Sequence, residues 1–259
     1  MTISVLTDNH PGTHTPAEHG LSYLIEHDGK RLLFDTGQSD MFIKNAEAMK
    51  ISMKNIDMVI LSHGHFDHGN GLEYLSGNSM LCHPGCFVKR YRGSDHTYIG
   101  LKNSKEELSL LFNIITSAEP YEISEKIFFL GEIPRLTKFE SLTTSFVYED
   151  DSPDFVMDDS AMAIIMPGGL FVFTGCGHSG IVNTLEHAKK ITGINKLYGI
   201  MGGFHLKEID IQTTETIRYI KENKLKHVLP SHCTDLPALS AFYEAFRIKQ
   251  VKSGNIYEF

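Results

Sequence analysis

Between residues 63 and 68 the chain places three imidazoles and one carboxylate, in the order His63-Gly64-His65-Phe66-Asp67-His68. Imidazole nitrogen and carboxylate oxygen together are the donors that zinc, iron or manganese accept. The glycines Gly64, Gly69 and Gly71 let the loop fold tightly around a centre. The residues just before, Ile56-Asp57-Met58-Val59-Ile60-Leu61, read as a buried strand, so the cluster falls where a strand gives way to a loop. Loops held by a rigid scaffold are where chemistry concentrates. A polar loop that happens to be rich in histidine is the alternative, and the apolar strand leading into it argues against that.

Further metal-type side chains follow apolar strands in the same way. Leu170-Phe171-Val172-Phe173-Thr174 leads to His178, Leu197-Tyr198-Gly199-Ile200-Met201 to His205, and His227-Val228-Leu229-Pro230-Ser231 to His232. Asp35 follows Arg31-Leu32-Leu33-Phe34. Repeated delivery of such residues at strand ends predicts one site at one edge of a layered fold.

The elements that must carry these residues can be read from pattern. Strands are expected at 2–7, 21–27, 30–35 and 57–61, with Asp28-Gly29 as a hairpin turn. A helical pattern runs over about 38–50. The middle, 84–160, is less regular: Ser104 and Glu107 form a capping box before Leu108, and strands are expected near 127–130 and 143–148. The last third alternates strands at 161–166, 170–174, 196–201 and 225–229 with helices at about 181–191, 212–223 and 236–247. Ile181, Val182, Leu185, Ala188 and Ile191 keep the 3.6-residue period and Gly193 ends that helix. Strands first, then strands alternating with helices, predict two helix-covered sheets in one domain spanning 1–259, with 84–160 lining the pocket.

The chain has 259 residues, 41% hydrophobic and 22% charged, with a formal net charge of -8. That acidic balance gives no general attraction for nucleic acid. No apolar run is long enough for a bilayer, and Met1-Thr2-Ile3-Ser4-Val5-Leu6 has no signal-peptide pattern. Four cysteines (Cys82, Cys86, Cys176, Cys233) make no disulfide scaffold at this length, which suits the cytoplasm. No membrane or nucleic-acid partner is expected, and the oligomeric state is open.

Taken in order, Phe34-Asp35-Thr36-Gly37, Ser62-His63-Gly64-His65-Phe66-Asp67-His68-Gly69, Thr174-Gly175-Cys176-Gly177-His178-Ser179-Gly180 and Pro230-Ser231-His232 resemble the successive motifs of the metallo-β-lactamase superfamily. The resemblance implies an α+β, four-layer αββα sandwich with one or two divalent metals per chain: zinc, or else iron or manganese. It implies that His63, His65 and His178 hold one ion and Asp67, His68 and His232 a second. Asp67 and His205 are the candidate catalytic residues. Asp35 is expected to accept a hydrogen bond from a ligand imidazole. Many relatives carry a bridging carboxylate where this chain has Gly202-Gly203-Phe204-His205, so His205 is a ligand, a substrate contact or a structural residue. Glu18-His19-Gly20-Leu21-Ser22, Gly131-Glu132-Ile133-Pro134-Arg135, Gly202-Gly203-Phe204-His205-Leu206 and Ser231-His232-Cys233-Thr234 resemble the subfamily that includes the archaeal dihydropterin ribofuranosyl-aminobenzene-phosphate synthase.

Substrate contacts are expected from His19, Arg135, Ser179, Gly180 and His205. Arg135 could clamp a phosphate with two parallel hydrogen bonds, and the helix start after Ser179-Gly180 offers free backbone N–H groups to an anion. The expected substrate is therefore a small anionic molecule, and the leading function is hydrolysis of an ester or phosphoester. A pterin-type condensing synthase using the same metals is the alternative, and a non-catalytic metal-dependent sensor a third reading. Cys176 and Cys233 are taken as small buried thiols beside the ligands.

Overall fold

The computed structural model describes residues 1–259. In chain order the elements are β1 (Thr2–Thr7), β2 (Ser22–His27), β3 (Lys30–Phe34), α1 (Met41–Ala48), β4 (Met58–Leu61), α2 (Phe66–Gly69), β5 (Ser79–Cys82), β6 (Arg90–Arg92), α3 (Lys105–Leu108) and β7 (Asn113–Thr116). There follow β8 (Tyr121–Ser124), β9 (Ile127–Phe129), β10 (Phe146–Tyr148), β11 (Ala161–Met166), β12 (Gly169–Thr174), α4 (Ile181–Thr192), β13 (Leu197–Gly203), α5 (Ile211–Glu222), β14 (His227–Ser231), α6 (Leu236–Phe246) and β15 (Ile256–Glu258). They form two compact units. The first comprises residues 1–117, 145–154 and 251–259; the second comprises 118–144 and 155–250. The irregular stretch 84–160 is thus divided between the two.

The first unit is built on a seven-stranded sheet of order β15-β1-β2-β3-β4-β5-β7. β3, β4, β5 and β7 run parallel, and the edge from β3 outward to β15 is antiparallel. Parallel strands are buried on both faces and read as continuous apolar runs, which is why Met58-Val59-Ile60-Leu61 shows no alternation. Leu6, Leu24, Leu33, Phe42, Val59, Leu61, Met80 and Phe112 share one core. The short β6 and β10 pair antiparallel, Tyr91 opposite Val147. Beneath them Arg90 and Asp154 form an ion pair, Nε to Oδ2 3.3 Å, with both side chains buried. It holds residues 145–154 to this unit.

The second unit has a six-stranded sheet of order β14-β13-β12-β11-β9-β8. β12, β13 and β14 are parallel, and β11, β9 and β8 complete it antiparallel. Its core gathers Val172, Ile181, Leu185, Ile200, Phe204, Ile220 and Phe242. The buried residues of α4 include Ile181, Val182, Leu185 and Ala188, the stripe expected from its 3.6-residue period. The helix ends at Gly193 in the left-handed conformation, φ 70°.

Pattern reading found the long elements to within a few residues. It missed β6, β7, β8 and β15, which are short, and it overextended α1. The capping box at Ser104 and Glu107 is complete, but it opens only four helical residues. A satisfied cap fixes where a helix begins; packing decides how far it runs.

Candidate metal centre

In the first unit β3 and β4 end side by side, and Asp35 and Ser62 stand at those ends. Asp35 is fully buried and sits in the left-handed region at φ 58°. Its Oδ1 accepts from the Ser62 amide at 2.7 Å and its Oδ2 from the Ser62 hydroxyl at 2.7 Å. Oδ2 also lies 2.7 Å from His68 Nδ1. An ionised carboxylate only accepts, so His68 Nδ1 carries the proton and His68 Nε2 keeps its lone pair. The same logic passes one step further. The Ser62 hydroxyl spends its proton on Asp35, so it accepts from His63 Nδ1 at 2.9 Å. His63 Nε2 is then a lone-pair donor too. One buried carboxylate thereby sets the tautomer of two histidines, the arrangement by which metal ligands are usually oriented.

His63 Nε2 faces His65 Nδ1 at 2.9 Å. At metal–nitrogen bonds of about 2.0–2.1 Å, two nitrogens on one ion stand roughly 3 Å apart, so this spacing fits a shared ligand role. His63, His65, Asp67 and His68 are all buried. Asp67 lies in the first turn of α2. Its Oδ2 is 3.1 Å from His19 Nε2 and 3.8 Å from His68 Nε2. His19, more than half exposed, is also tied through Nδ1 to the Asn9 amide at 3.2 Å. The sequence suggested a substrate contact for His19; the structure gives it Asp67 as a neighbour.

In the second unit β12, β13 and β14 deliver Cys176 and His178, His205, and His232 with Cys233 from three adjacent parallel strands. His178 and His205 have ring centroids 4.4 Å apart. His205 and His232 both adopt positive φ, 48° and 50°. Such backbone is costly for a β-carbon residue and persists where the surroundings over-determine it, commonly at functional sites. Thr234 helps to fix this corner: its hydroxyl accepts from the Phe204 amide at 3.1 Å and donates to the Ser231 carbonyl at 2.8 Å. Burial pushes the Cys233 thiol up, but hydrogen bonding with Cys176 and His205 and the nearby His232 bring it well below the ordinary thiol range.

Two groups expected to bind substrate have partners within the chain. The N-terminus of α4 does not present free amides after Ser179 and Gly180. The Val182 and Asn183 amides donate to the Glu140 carboxylate at 2.8 and 2.9 Å, and the Ser179 amide donates to Asp159 Oδ2 at 2.8 Å. Gly180 has φ 97°, and a Cβ there would lie 2.4 Å from Glu140 Cδ. The missing side chain is the room that admits this internal cap. Arg135 is likewise engaged. Nη2 donates to the Phe155 and Val156 carbonyls at 2.6 and 3.1 Å, and Nε to Ser141 Oγ at 2.9 Å. Its guanidinium ties these loops together. Glu140 and Asp159 had no signal in the sequence, because each acts on residues 20 or more positions away.

Burial raises Asp159 from about 3.8 to about 6, against the lowering effect of the Ser179 amide and of Arg135. The folded protein therefore binds this proton more tightly than the unfolded chain. Its contribution to stability is present below about pH 4 and is lost as pH rises through about 6. Asp159→Asn keeps an acceptor for the Ser179 amide and removes the buried charge. The variant is expected to be more stable than the parent at pH 7, by roughly 1–2 kcal/mol, and equal to it near pH 4. Urea midpoints across that range check this; an Asn variant less stable at pH 7 would show that the charge is needed.

A sequence model of the metallo-beta-lactamase superfamily matches residues 15–98. The chain is 33% identical, over 99% of its length and 96% of the relative's, to the 7,8-dihydropterin-6-methyl-4-(beta-D-ribofuranosyl)-aminobenzene-5'-phosphate synthase of Methanocaldococcus jannaschii. Among solved structures, a metal-dependent hydrolase of the beta-lactamase superfamily superposes with TM-score 0.89 at 31% identity, covering 100% of this chain and 99% of the other. A diphosphatase of the PhnP family shares the fold at TM-score 0.58 and 16% identity, over 100% and 97% of the two chains. The chain belongs to the metallo-beta-lactamase superfamily and has its α+β fold. Within it, the chain is similar over 99% of its length to that archaeal ribofuranosyl-aminobenzene-5'-phosphate synthase. No helix is long and apolar enough to cross a membrane.

Proposed function

We propose that the protein is a metal-dependent hydrolase that opens an ester or phosphoester of a small anionic molecule with a metal-activated water. The observation that carries this reading is the hydrogen-bond chain from Asp35 through Ser62, which leaves His63 Nε2 and His68 Nε2 as lone-pair donors in a buried site. Nothing in ordinary core packing asks for that arrangement. In this reading His63, His65 and His178 hold one cation, and Asp67, His68 and His232 a second, with zinc favoured by the imidazole-rich set. When bound, the cations would lower the pKa of a water towards about 7 and neutralise charge developing on the substrate oxygen. Asp35 fixes the orientation of two ligand rings. Asp67 supplies the carboxylate, with His19 Nε2 holding its Oδ2. In this reading His205, on strained backbone beside His178, meets the substrate. The solved relative described as a metal-dependent hydrolase supports the reaction class.

A second reading is favoured by the archaeal relative: a condensing synthase that uses the same donors and makes a pterin-linked ribofuranosyl-aminobenzene phosphate. Its phosphate also supports an anionic substrate, now that Arg135 and the α4 terminus have other occupations. A sensor that binds metal without turnover is the third.

One experiment separates these. Protein purified without chelator is expected to carry between one and two transition-metal ions per chain, and to hydrolyse bis-p-nitrophenyl phosphate or p-nitrophenyl acetate. Chelation should abolish this turnover and zinc, manganese or iron should restore it. Absence of metal with no gain on reconstitution would overturn the metalloenzyme reading. Full metal loading without hydrolysis would favour the synthase or the sensor.

A further inference from the structure

Three stretches of the first unit close around His65, and one buried ion pair joins them. On one side the His65 backbone bridges Gly100, and the Phe66 amide donates to the Ile99 carbonyl at 3.0 Å. The Ile99 amide in turn donates to the Arg90 carbonyl at 3.0 Å. On a second side Gly64 lies against Cys86, so tightly that a Cβ at 64 would stand 1.9 Å from the Cys86 carbonyl oxygen. On the third the Phe146 ring meets the His65 ring, centroids 4.9 Å apart and planes at 64°. Arg90 and Asp154 reach all three. Arg90 Nη2 donates to the Gly85 carbonyl at 3.2 Å, and its Nε faces Asp154 Oδ2 at 3.3 Å. The Asp154 amide donates to the Phe146 carbonyl at 3.0 Å. We infer that Arg90 and Asp154 are positioning residues that set the place of the His65 ring. The inference rests on the proposed function at one point, that His65 holds a metal.

Both side chains are buried, and Arg90 is the bulkiest of the fully buried ones. Taking two charges out of water costs much of what their attraction returns, and apolar residues in place of a buried pair are often neutral or stabilising. Stability is therefore a weak reason for the pair. Direction is a stronger one: the planar guanidinium meets its acceptors at fixed angles, which neither an ammonium nor an apolar side chain reproduces. Precision matters at this position. His65 Nδ1 lies 2.9 Å from His63 Nε2, and His63 is already oriented through Ser62 and Asp35. His65 must match it. A ligand displaced by more than about 0.5 Å leaves the productive geometry unless its neighbours are locked. The segments that lock it, at 85–86, 99–100 and 146, are the ones that Arg90 and Asp154 hold.

The test compares Arg90→Met/Asp154→Leu with the parent. Urea unfolding establishes that the variant is folded, as apolar replacement of a buried pair allows. Zinc affinity is measured by competition with a chelator. The histidine ring NMR signals are recorded on metal-free protein, with those of His65 assigned from His65→Ala. The expected result is zinc bound about tenfold or more weakly, with the His65 signals moved because the ring has left its place against Phe146. Parent-like His65 signals, or undiminished zinc affinity, overturn the inference. A parent that binds no zinc would sink the proposed function, and the ring signals alone would then decide the positioning. Should the double variant not fold, Arg90→Lys decides by the same two readouts. It keeps the charge and loses the planar fork, so the same loss of affinity and the same displacement are expected, and parent-like values overturn the inference.

Discussion

His65→Ala and Asp67→Asn each leave a folded protein that has lost metal and turnover, hydrolysis of bis-p-nitrophenyl phosphate falling by ~100-fold or more. Disturbing a group that merely orients a ligand costs about 10–100-fold in affinity or activity, and removing the ligand itself costs at least as much. The fold is expected to survive because neither residue contributes to the apolar core. His65 caps α2 only through its backbone, with no side-chain capping bond, while the core of this unit is carried by Leu33, Phe42, Val59 and Leu61. Far-ultraviolet circular dichroism, element analysis and turnover should be read on the same preparations. Parent-like turnover in either variant would remove Asp67 and His65 from the site.

Glu140→Ala is expected to be the most destabilising single change near the second unit's donors. The Glu140 carboxylate is buried and accepts from two backbone amides and from the Thr137 hydroxyl at 3.0 Å. Its carboxyl is raised from the ordinary value by burial, against the lowering pull of those same amides. Truncation leaves the first turn of α4 with buried N–H groups and no acceptor, each worth about 1–3 kcal/mol. A total of roughly 3 kcal/mol follows, or a fall in Tm on the order of 10 °C for a chain of this size. Glu140→Gln keeps one acceptor oxygen and should lose less. Thermal melts of the three proteins check this. An alanine variant as stable as the parent would mean that water or a bound anion replaces the carboxylate, and would reopen the α4 terminus as an anion site.

The metal-type residues, their order and their strand-end positions were legible in the sequence, and so was the family. The reason is local: His63 to His68 lie within six residues, and an apolar run into a glycine-rich loop is a signal that needs no tertiary information. The long strands and α4, α5 and α6 were legible for the same reason. The short strands β6, β7 and β8 were not, because three or four residues of apolar or mixed sequence carry too little periodicity to separate from a loop.

What only the tertiary structure decided is which group spends its hydrogen bonds on which. The sequence put Asp35 at a strand end; the fold decides that it holds His68 directly and His63 through Ser62. Arg135 and the Ser179-Gly180 turn looked ready for an anion, and the fold supplies the chain's own carbonyls and carboxylates instead. Cys176, His205 and Cys233 looked like separate neighbours of motif residues, and three adjacent strands bring them together. Such partnerships join residues tens of positions apart, and a buried donor or acceptor takes whichever partner the packed chain places within reach. Local pattern determines the elements and the chemistry they can offer; packing determines where that chemistry is used.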